Sequence, residues 1–131
     1  MAPQPRLADL EPLLERTRKA GIEVDLRIQG EPRRLPDGLE LSAYRIVQES
    51  LTNTIRHSDA RSASVLVEYR ASELRLQVSD DGHGSPPGNG AGHGLIGIRE
   101  RVALFGGTVE ASPRDGHGWQ VSAGLPTDGE E

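Results

Sequence analysis

This chain of 131 residues contains no cysteine and hardly any lysine. Without cysteine, neither a disulfide framework nor a thiolate metal site can form. Arginine supplies 14 of the 15 basic residues, and Lys19 is the one lysine, so an anion site has to be built almost without lysine. One Trp, one Phe and two Tyr are the only aromatic residues, so the core must be aliphatic.

Long apolar runs and clusters of basic residues are also missing. No apolar run approaches 18 residues and the N-terminus has no apolar signal core, so we expect no membrane contact and a cytoplasmic location. The net charge is −5, and no basic cluster is longer than Arg33-Arg34, which disfavours nucleic acid as a direct partner. The length fits one domain, which we expect to be a monomer.

The order of apolar patterns predicts an α+β fold. Leucines at helical spacing predict a helix that ends at Gly21, and a second helix is predicted over 38–57. A strand near 24–28, a hairpin over 65–78 and two short strands near 109–111 and 119–125 complete the pattern, with a third helix from Leu95 to Gly106. We expect a two-layer sandwich: a mixed, mostly antiparallel sheet with helices on one face.

The domain organisation follows from the same patterns. Residues 1–21 are predicted to form an N-terminal helix leading into a domain over 22–126, and residues 127–131 a disordered tail. Residues 82–94 hold so many glycines and prolines that we expect no regular element there.

The helix over 38–57 offers the first candidate site. Glu49, Asn53 and Arg56 fall within about 60° of one another on a helical wheel, with His57 at the edge of that face. An amide oxygen suits Mg²⁺, and an arginine can pair with phosphate. The apolar ridge on the opposite side is made of Tyr44, Val47, Leu51 and Ile55. The alternative is a solvated face of an amphipathic helix.

Asp80 is the second candidate, because its strand parity places it on the face that Leu74, Leu76 and Val78 bury. A carboxylate there needs a hydrogen-bond donor. An adenine amino group would supply one, whereas a guanine carbonyl would oppose it. Gly82 and Gly84 follow and would let a flat ligand approach the backbone. The alternative is an Asp-Gly turn.

The third candidate is the glycine-rich loop that runs into the last helix, through Gly92, His93, Gly94 and Leu95. Helix N-termini present free N–H groups to phosphates. The alternative is a flexible linker. The Walker motif, the protein-kinase motifs, a G-x-S-x-G elbow and zinc-spaced histidines are all absent, and the dinucleotide G-x-G-x-x-G is matched only loosely.

These three segments resemble the conserved boxes of the catalytic and ATP-binding domain of bacterial sensor histidine kinases, which has the Bergerat fold shared with gyrase, Hsp90 and MutL. The resemblance runs from about Val24 to Pro126. Residues 49–57 (ESLTNTIRH) resemble the N box, 80–84 (DDGHG) the G1 box and 92–95 (GHGL) the G2 box. The run GHGLIGIRERV is similar to the subfamily of nitrate-sensing and membrane-fluidity-sensing kinases.

The resemblance implies a role for each candidate residue. Asn53 would ligate Mg²⁺, and Glu49 would lie near metal and phosphates as a base or water-orienting group. Arg56 and His57 would face phosphate or ribose, and Asp80 would bind the adenine amino group beside Gly82 and Gly84. Residues 82–94 would form a lid over ATP, and the segment Gly92, His93, Gly94 and Leu95 would cradle phosphates.

Two departures from the family pattern limit the resemblance. Trp119 follows Gly118 where Thr is common, which puts a Thr hydroxyl contact near adenine in doubt. The acceptor histidine of these kinases is followed by an acidic residue, whereas here Ser58, Gly84, Gly94 and Gly118 follow the four histidines. We therefore expect no acceptor histidine in this chain and no self-phosphorylation, with the acceptor on a separate dimerisation domain upstream.

Two other classes of function stay open at this stage. A free-standing anti-sigma-factor serine kinase shares the same fold. A scaffold or adhesion domain without enzymatic activity would leave the glycine run as a linker. A sensor histidine kinase would pass phosphate on to a response regulator, and the parent protein of this domain could be attached to a membrane.

Overall fold

The computed structural model describes residues 4–57, 59–82, 92–114 and 118–127, with His57 and residues 92–96 described by their backbone. Its helices are α1 (Leu10–Lys19, preceded by a short 3-10 turn at Leu7–Asp9), α2 (Asp37–His57) and α3 (Gly92–Ala103). Its strands are β1 (Glu23–Gln29), β2 (Ser62–Tyr69), β3 (Glu73–Asp80), β4 (Thr108–Pro113) and β5 (Trp119–Pro126).

The five strands form one sheet in the order β1-β2-β3-β5-β4. Only β1 and β2 pair in parallel, and the other three pairings are antiparallel. The parallel pair is joined through α2, as a parallel crossover requires. The mixed, mostly antiparallel sheet predicted from the strand patterns is confirmed.

The three helices cover one face of this sheet. Helix α2 contacts β3 and β5 in the centre, α1 contacts β1, and α3 contacts β4. Residues of alternating strand positions point toward the helices and are buried, as the two-residue period of a strand requires. The buried strand residues are Val24, Ala63, Val65, Val67, Leu74, Leu76, Val78, Val109, Val121, Ala123 and Leu125.

The buried face of α2 differs from the predicted ridge. Val47 and Leu51 are fully buried, but Ile55 is 39% exposed and Tyr44 is half-buried. The buried positions centre about 80° away around the helix, toward Asn53. The reason is that small polar side chains, among them Ser50 and Thr54, are buried on α2, and an apolar pattern does not reveal them.

Helix α3 begins earlier than the sequence predicts. It starts at Gly92 rather than near Leu95, so the expectation of no regular element over 82–94 is wrong for residues 92–94. The rest of the predicted lid, residues 83–91, and the tail over 128–131 lie outside the described residues. Phe105, just after α3, lies over Gly38 at the start of α2.

The N-terminal segment is part of the same hydrophobic core. Leu7, Leu10, Leu13 and Leu14 are all 7% exposed or less. Glu40 of α2 is buried and accepts hydrogen bonds from the backbone N–H groups of Leu7 (2.8 Å) and Leu35 (3.2 Å). This carboxylate therefore fixes the start of the chain against α2.

Candidate functional site

Asp80 ends the central strand β3 under the helix layer and is 6% exposed. Its Oδ2 lies 3.0 Å from the hydroxyl of Thr54 on α2, and its Oδ1 accepts a hydrogen bond of 3.0 Å from the backbone N–H of Gly82. The sequence-based expectation that this carboxylate faces the buried side and finds donors there is confirmed. A carboxylate has about four acceptor positions, so these two donors leave capacity for a ligand.

The hydroxyl of Thr54 connects Asp80 to helix α2. It lies 3.1 Å from the carbonyl oxygen of Ser50 as well as 3.0 Å from Asp80 Oδ2. A hydroxyl has a single proton, so it donates to one of these oxygens at a time. Helix α2 and strand β3 are therefore held together at Asp80.

Two residues between β4 and β5 contact the backbone carbonyl oxygen of Asp80. Arg114 Nη1 donates a hydrogen bond of 2.8 Å to the carbonyl oxygen of Asp80. Gly118 has a φ of 107°, and a Cβ placed there would lie 2.2 Å from the same oxygen. Only glycine therefore allows this approach, and Trp119 begins β5 directly opposite Asp80.

Asp81 fixes the chain on the other side of Asp80. Its carboxylate accepts hydrogen bonds from the backbone N–H groups of Ser62 (3.1 Å) and Arg61 (2.9 Å) and from the Ser62 hydroxyl (2.9 Å). These hydrogen bonds, the backbone N–H of Ser62 first, lower the pKa of Asp81 to about 2. Asp81 thus ties the end of β3 to the start of β2.

The predicted polar face of α2 flanks Thr54 along the chain, from Glu49 to Arg56. Glu49 and Asn53 are half-buried, whereas Arg56 is exposed. Because the buried face is centred closer to Asn53 than the apolar pattern indicates, Glu49 and Asn53 border the core rather than standing opposite to it. His57 ends the helix, and only its backbone is described.

The glycine-rich candidates are placed in part. Gly82 is buried and donates to Asp80, as noted above. The backbone of Gly92, His93, Gly94 and Leu95 forms the first turn of α3, and α3 contacts α2. Gly84 lies outside the described residues. The phosphate-binding role that the resemblance implies for the segment from Gly92 to Leu95 stays a prediction.

The side chains present fit a magnesium–nucleotide site better than a metal site formed by protein alone. Among the described residues, no group of three or more His, Asp and Glu side chains could hold a metal ion. Mg²⁺ commonly takes only one or two protein oxygens and fills its remaining positions with phosphate and water. Glu49 and Asn53, four residues apart on one helix, carry a carboxylate and an amide oxygen, which are groups of the type that such a site requires.

Sequence reasoning missed three contributors to this site. The sequence patterns do not single out Thr54 or Arg114, and they indicate Gly118 only as the residue before Trp119. Thr54 could have been found from its position next to Asn53 on a helix that crosses the end of β3. Arg114 could not, because its contact with Asp80 depends on how two distant strands pair.

Comparison with known proteins agrees with this geometry. Residues 38–129 match the family described as histidine kinase-, DNA gyrase B- and HSP90-like ATPase. The sensor histidine kinase LiaS of Bacillus subtilis is 34% identical over 123 residues, which are 92% of this chain and 34% of LiaS. The signal transduction histidine-protein kinase/phosphatase UhpB of Salmonella typhimurium is 38% identical over 93 residues, 70% of this chain and 18% of UhpB.

Solved structures show the same fold. The catalytic domain of histidine kinase ThkA superposes with a TM-score of 0.73 at 18% identity, over 95% of this chain and 96% of that one. The histidine kinase domain of the EL346 blue-light activated kinase from Erythrobacter litoralis gives 0.68 at 25% identity, over 88% of this chain and 56% of that one.

The chain spans only about a fifth to a third of the length of these curated relatives. In the part of the chain that the structure describes, no helix has both the length and the apolar character needed to cross a membrane. The family match covers most of the chain, and family membership implies nucleotide binding. The chain therefore belongs to the histidine kinase-, DNA gyrase B- and HSP90-like ATPase family and is homologous to the catalytic domains of sensor histidine kinases.

Proposed function

We propose that this domain binds ATP with Mg²⁺ and supplies the γ-phosphate to a histidine on a separate dimerisation and phosphoacceptor domain, for relay to a response regulator. The observation that carries the proposal is Asp80, a buried carboxylate held by Thr54 and Gly82 with acceptor capacity to spare. The named relatives are sensor kinases, which favours this function over a free-standing anti-sigma-factor kinase.

Asp80 would select the base. Its carboxylate accepts hydrogen bonds, so an adenine amino group fits it and a guanine carbonyl oxygen does not. A missing hydrogen bond to a charged group costs about 1–3 kcal/mol, which corresponds to roughly one to two decades of preference for ATP over GTP. The contacts from Thr54, Gly82 and Arg114 support this role because they hold the carboxylate and its backbone in place.

Helix α2 and the start of α3 would hold the phosphates. Asn53, with Glu49 beside it, would supply oxygen ligands to Mg²⁺, whose charge would screen the phosphates. Arg56 and His57 would pair with phosphate or ribose oxygens. The N-terminal turn of α3, from Gly92 to Leu95, would present backbone N–H groups to the phosphates.

Phosphoryl transfer depends mainly on placing the acceptor in line with the γ-phosphate. Glu49 is suited to orient or deprotonate the attacking group because it lies one helical turn before Asn53. The four histidines of the chain lack a following acidic residue, so the acceptor would come from another domain. This domain alone would therefore bind ATP and turn it over slowly.

Calorimetric titration with ATP and GTP, each with and without Mg²⁺, tests the proposal. We expect ATP to bind in the presence of Mg²⁺ at least tenfold more tightly than GTP, because adenine has an amino group at C6 where guanine has a carbonyl oxygen. Asp80→Asn should abolish most of the preference, whereas Asp25→Asn, the same change on the exposed face of β1, should leave it intact. Equal affinity of the wild type for both nucleotides would refute the base-selecting role.

The role of Asn53 is tested by comparing ATP binding with and without Mg²⁺. Asn53→Ala should weaken ATP binding with Mg²⁺ and change binding without Mg²⁺ little, because the lost group is a metal ligand. Asn53→Asp keeps an oxygen ligand and is expected to preserve the Mg²⁺ effect. If Asn53→Ala lowers affinity equally with and without Mg²⁺, the assignment as a metal ligand is wrong.

A further inference from the structure

We infer that the indole ring of Trp119 forms a wall of the nucleotide-base pocket and determines part of the affinity for the base. This inference rests on the proposed function and extends it to a residue at which the chain departs from its family. Trp119 is the direct antiparallel partner of Asp80 across β5 and β3. Directly opposed residues on such strands share a face, with Cβ atoms about 4.5–5.5 Å apart.

Strand parity confirms on which face the ring lies. Val121, Ala123 and Leu125 follow Trp119 at two-residue spacing, and all three are buried under the helices. Trp119 belongs to the same row and packs against the same core, yet it is only half-buried. The helix layer thus seals this row at every position except the one beside Asp80, where the largest side chain of the row stands partly open.

The backbone around Trp119 is fixed to that of Asp80. Arg114 donates to the Asp80 carbonyl oxygen, and Gly118 approaches the same oxygen more closely than a residue with a Cβ could. Trp119 also pairs with Pro113 of β4 on its other side. With both neighbours held, the backbone of Trp119 cannot move away from that of Asp80 without breaking these contacts.

A flat apolar ring beside a hydrogen-bonding carboxylate suits a purine. The carboxylate would accept a hydrogen bond from the edge of the base, and the indole would offer a surface on which the base can stack. Contacts between a base and an aromatic ring contribute enough that we expect about a tenfold loss of affinity when the ring is removed. A threonine at this position would offer a hydroxyl instead, so this chain exchanges a polar contact for an apolar one.

Fluorescence gives a direct test, because Trp119 is the only tryptophan in the chain. Titration with Mg²⁺ and ATP should change the emission saturably, with the same Kd that calorimetry gives. Inorganic triphosphate with Mg²⁺ carries no base and should leave the emission unchanged at saturation. An ATP titration that saturates by calorimetry without any change in emission would overturn the inference.

Variants separate the ring from its role in packing. Trp119→Phe keeps an aromatic surface and should stay within about threefold of the wild-type Kd, whereas Trp119→Ala should raise it about tenfold. Tyr69→Ala removes another half-buried aromatic residue from the same sheet, at the end of β2 away from Asp80, and should leave the Kd unchanged. Circular dichroism and urea unfolding identify variants that remain folded at the titration temperature.

The outcomes distinguish the two proposals. A folded wild-type chain that binds no ATP by calorimetry would refute the proposed function and with it this inference. Normal ATP binding by the wild type with an unchanged Kd in folded Trp119→Ala would refute the role of the ring alone. If Trp119→Ala is not folded, Trp119→Val takes its place, because valine suits a strand and offers neither a ring nor a hydroxyl. An unchanged Kd in folded Trp119→Val has the same meaning.

Discussion

Asp80 is held at three of its atoms before any nucleotide arrives. Thr54 lies against one carboxylate oxygen, the N–H of Gly82 donates to the other, and Arg114 donates to the backbone carbonyl. A side chain fixed in this way loses little further freedom when a ligand binds, and preorganisation of this kind raises affinity. The same contacts come from three separate parts of the chain, so the site and the fold depend on each other.

Thr54 provides the sharpest test of this preorganisation. Thr54→Val keeps the shape of the side chain but removes the hydroxyl, leaving Asp80 Oδ2 without this donor. We expect the free energy of unfolding to fall by about 1–2 kcal/mol and ATP to bind several-fold more weakly. Urea unfolding and calorimetry measure the two effects. Thr54→Ser retains the hydroxyl and should bind ATP as the wild type does; weak binding by this variant would instead implicate the methyl group.

Asp81 predicts how stability depends on pH. Its pKa is lowered from 3.8 to about 2 in the folded chain, so its contribution is complete above pH 3.8 and is lost as the pH falls through 2. Asp81→Asn should lower the free energy of unfolding at pH 7 by about 1 kcal/mol, allowing for solvent screening at this partly exposed position. The difference between wild type and variant should shrink between pH 4 and pH 2. A difference that stays constant across this range would contradict the prediction.

At the scale of elements, local patterns predicted each helix and strand, while nonlocal contacts decided which side chains meet. The alternation of β3 placed Asp80 on the buried face because parity needs no partner strand. The face of α2 was misplaced because buried Ser50 and Thr54 look polar in the sequence. The sequence indicates Trp119 only as a departure from the family, since its place beside Asp80 is set by the pairing of β3 with β5.

Helix α3 contains an exposed glycine that its own geometry does not require. Gly97 lies in the helix interior, and a Cβ placed on it would meet no atom within 4 Å. Gly97→Ala should therefore raise the free energy of unfolding by about 0.5–1 kcal/mol, because alanine loses less backbone freedom in a helix. The midpoint of urea unfolding should rise with no change in the slope. Gly107→Ala is the contrasting variant and should destabilise, since its Cβ would lie 2.5 Å from the Gly124 carbonyl oxygen.

For the whole molecule, the N-terminal segment and the ATPase domain share one core. The family match begins at residue 38, and the sequence predicts a division between residues 21 and 22. Leu10 and Leu14 nevertheless pack at 2% and 0% exposure, and Glu40 of α2 accepts the N–H of Leu7. The segment preceding α1 is therefore fixed to α2, the helix that carries Glu49, Asn53 and Thr54.

Removal of residues 1–21 tests whether the N-terminal segment and the ATPase domain fold as one unit. Four buried leucines contribute about 1.5–3 kcal/mol each, which together approach the 5–15 kcal/mol of a typical domain. We expect the chain from residue 22 onward to lose cooperative urea unfolding and ATP binding together. Within the intact chain, Leu14→Ala should cost about 2–5 kcal/mol. Leu104→Ala, at a leucine that is 85% exposed, should cost almost nothing. A shortened chain that unfolds cooperatively at the wild-type midpoint would show that the ATPase domain begins at the predicted division and folds without α1.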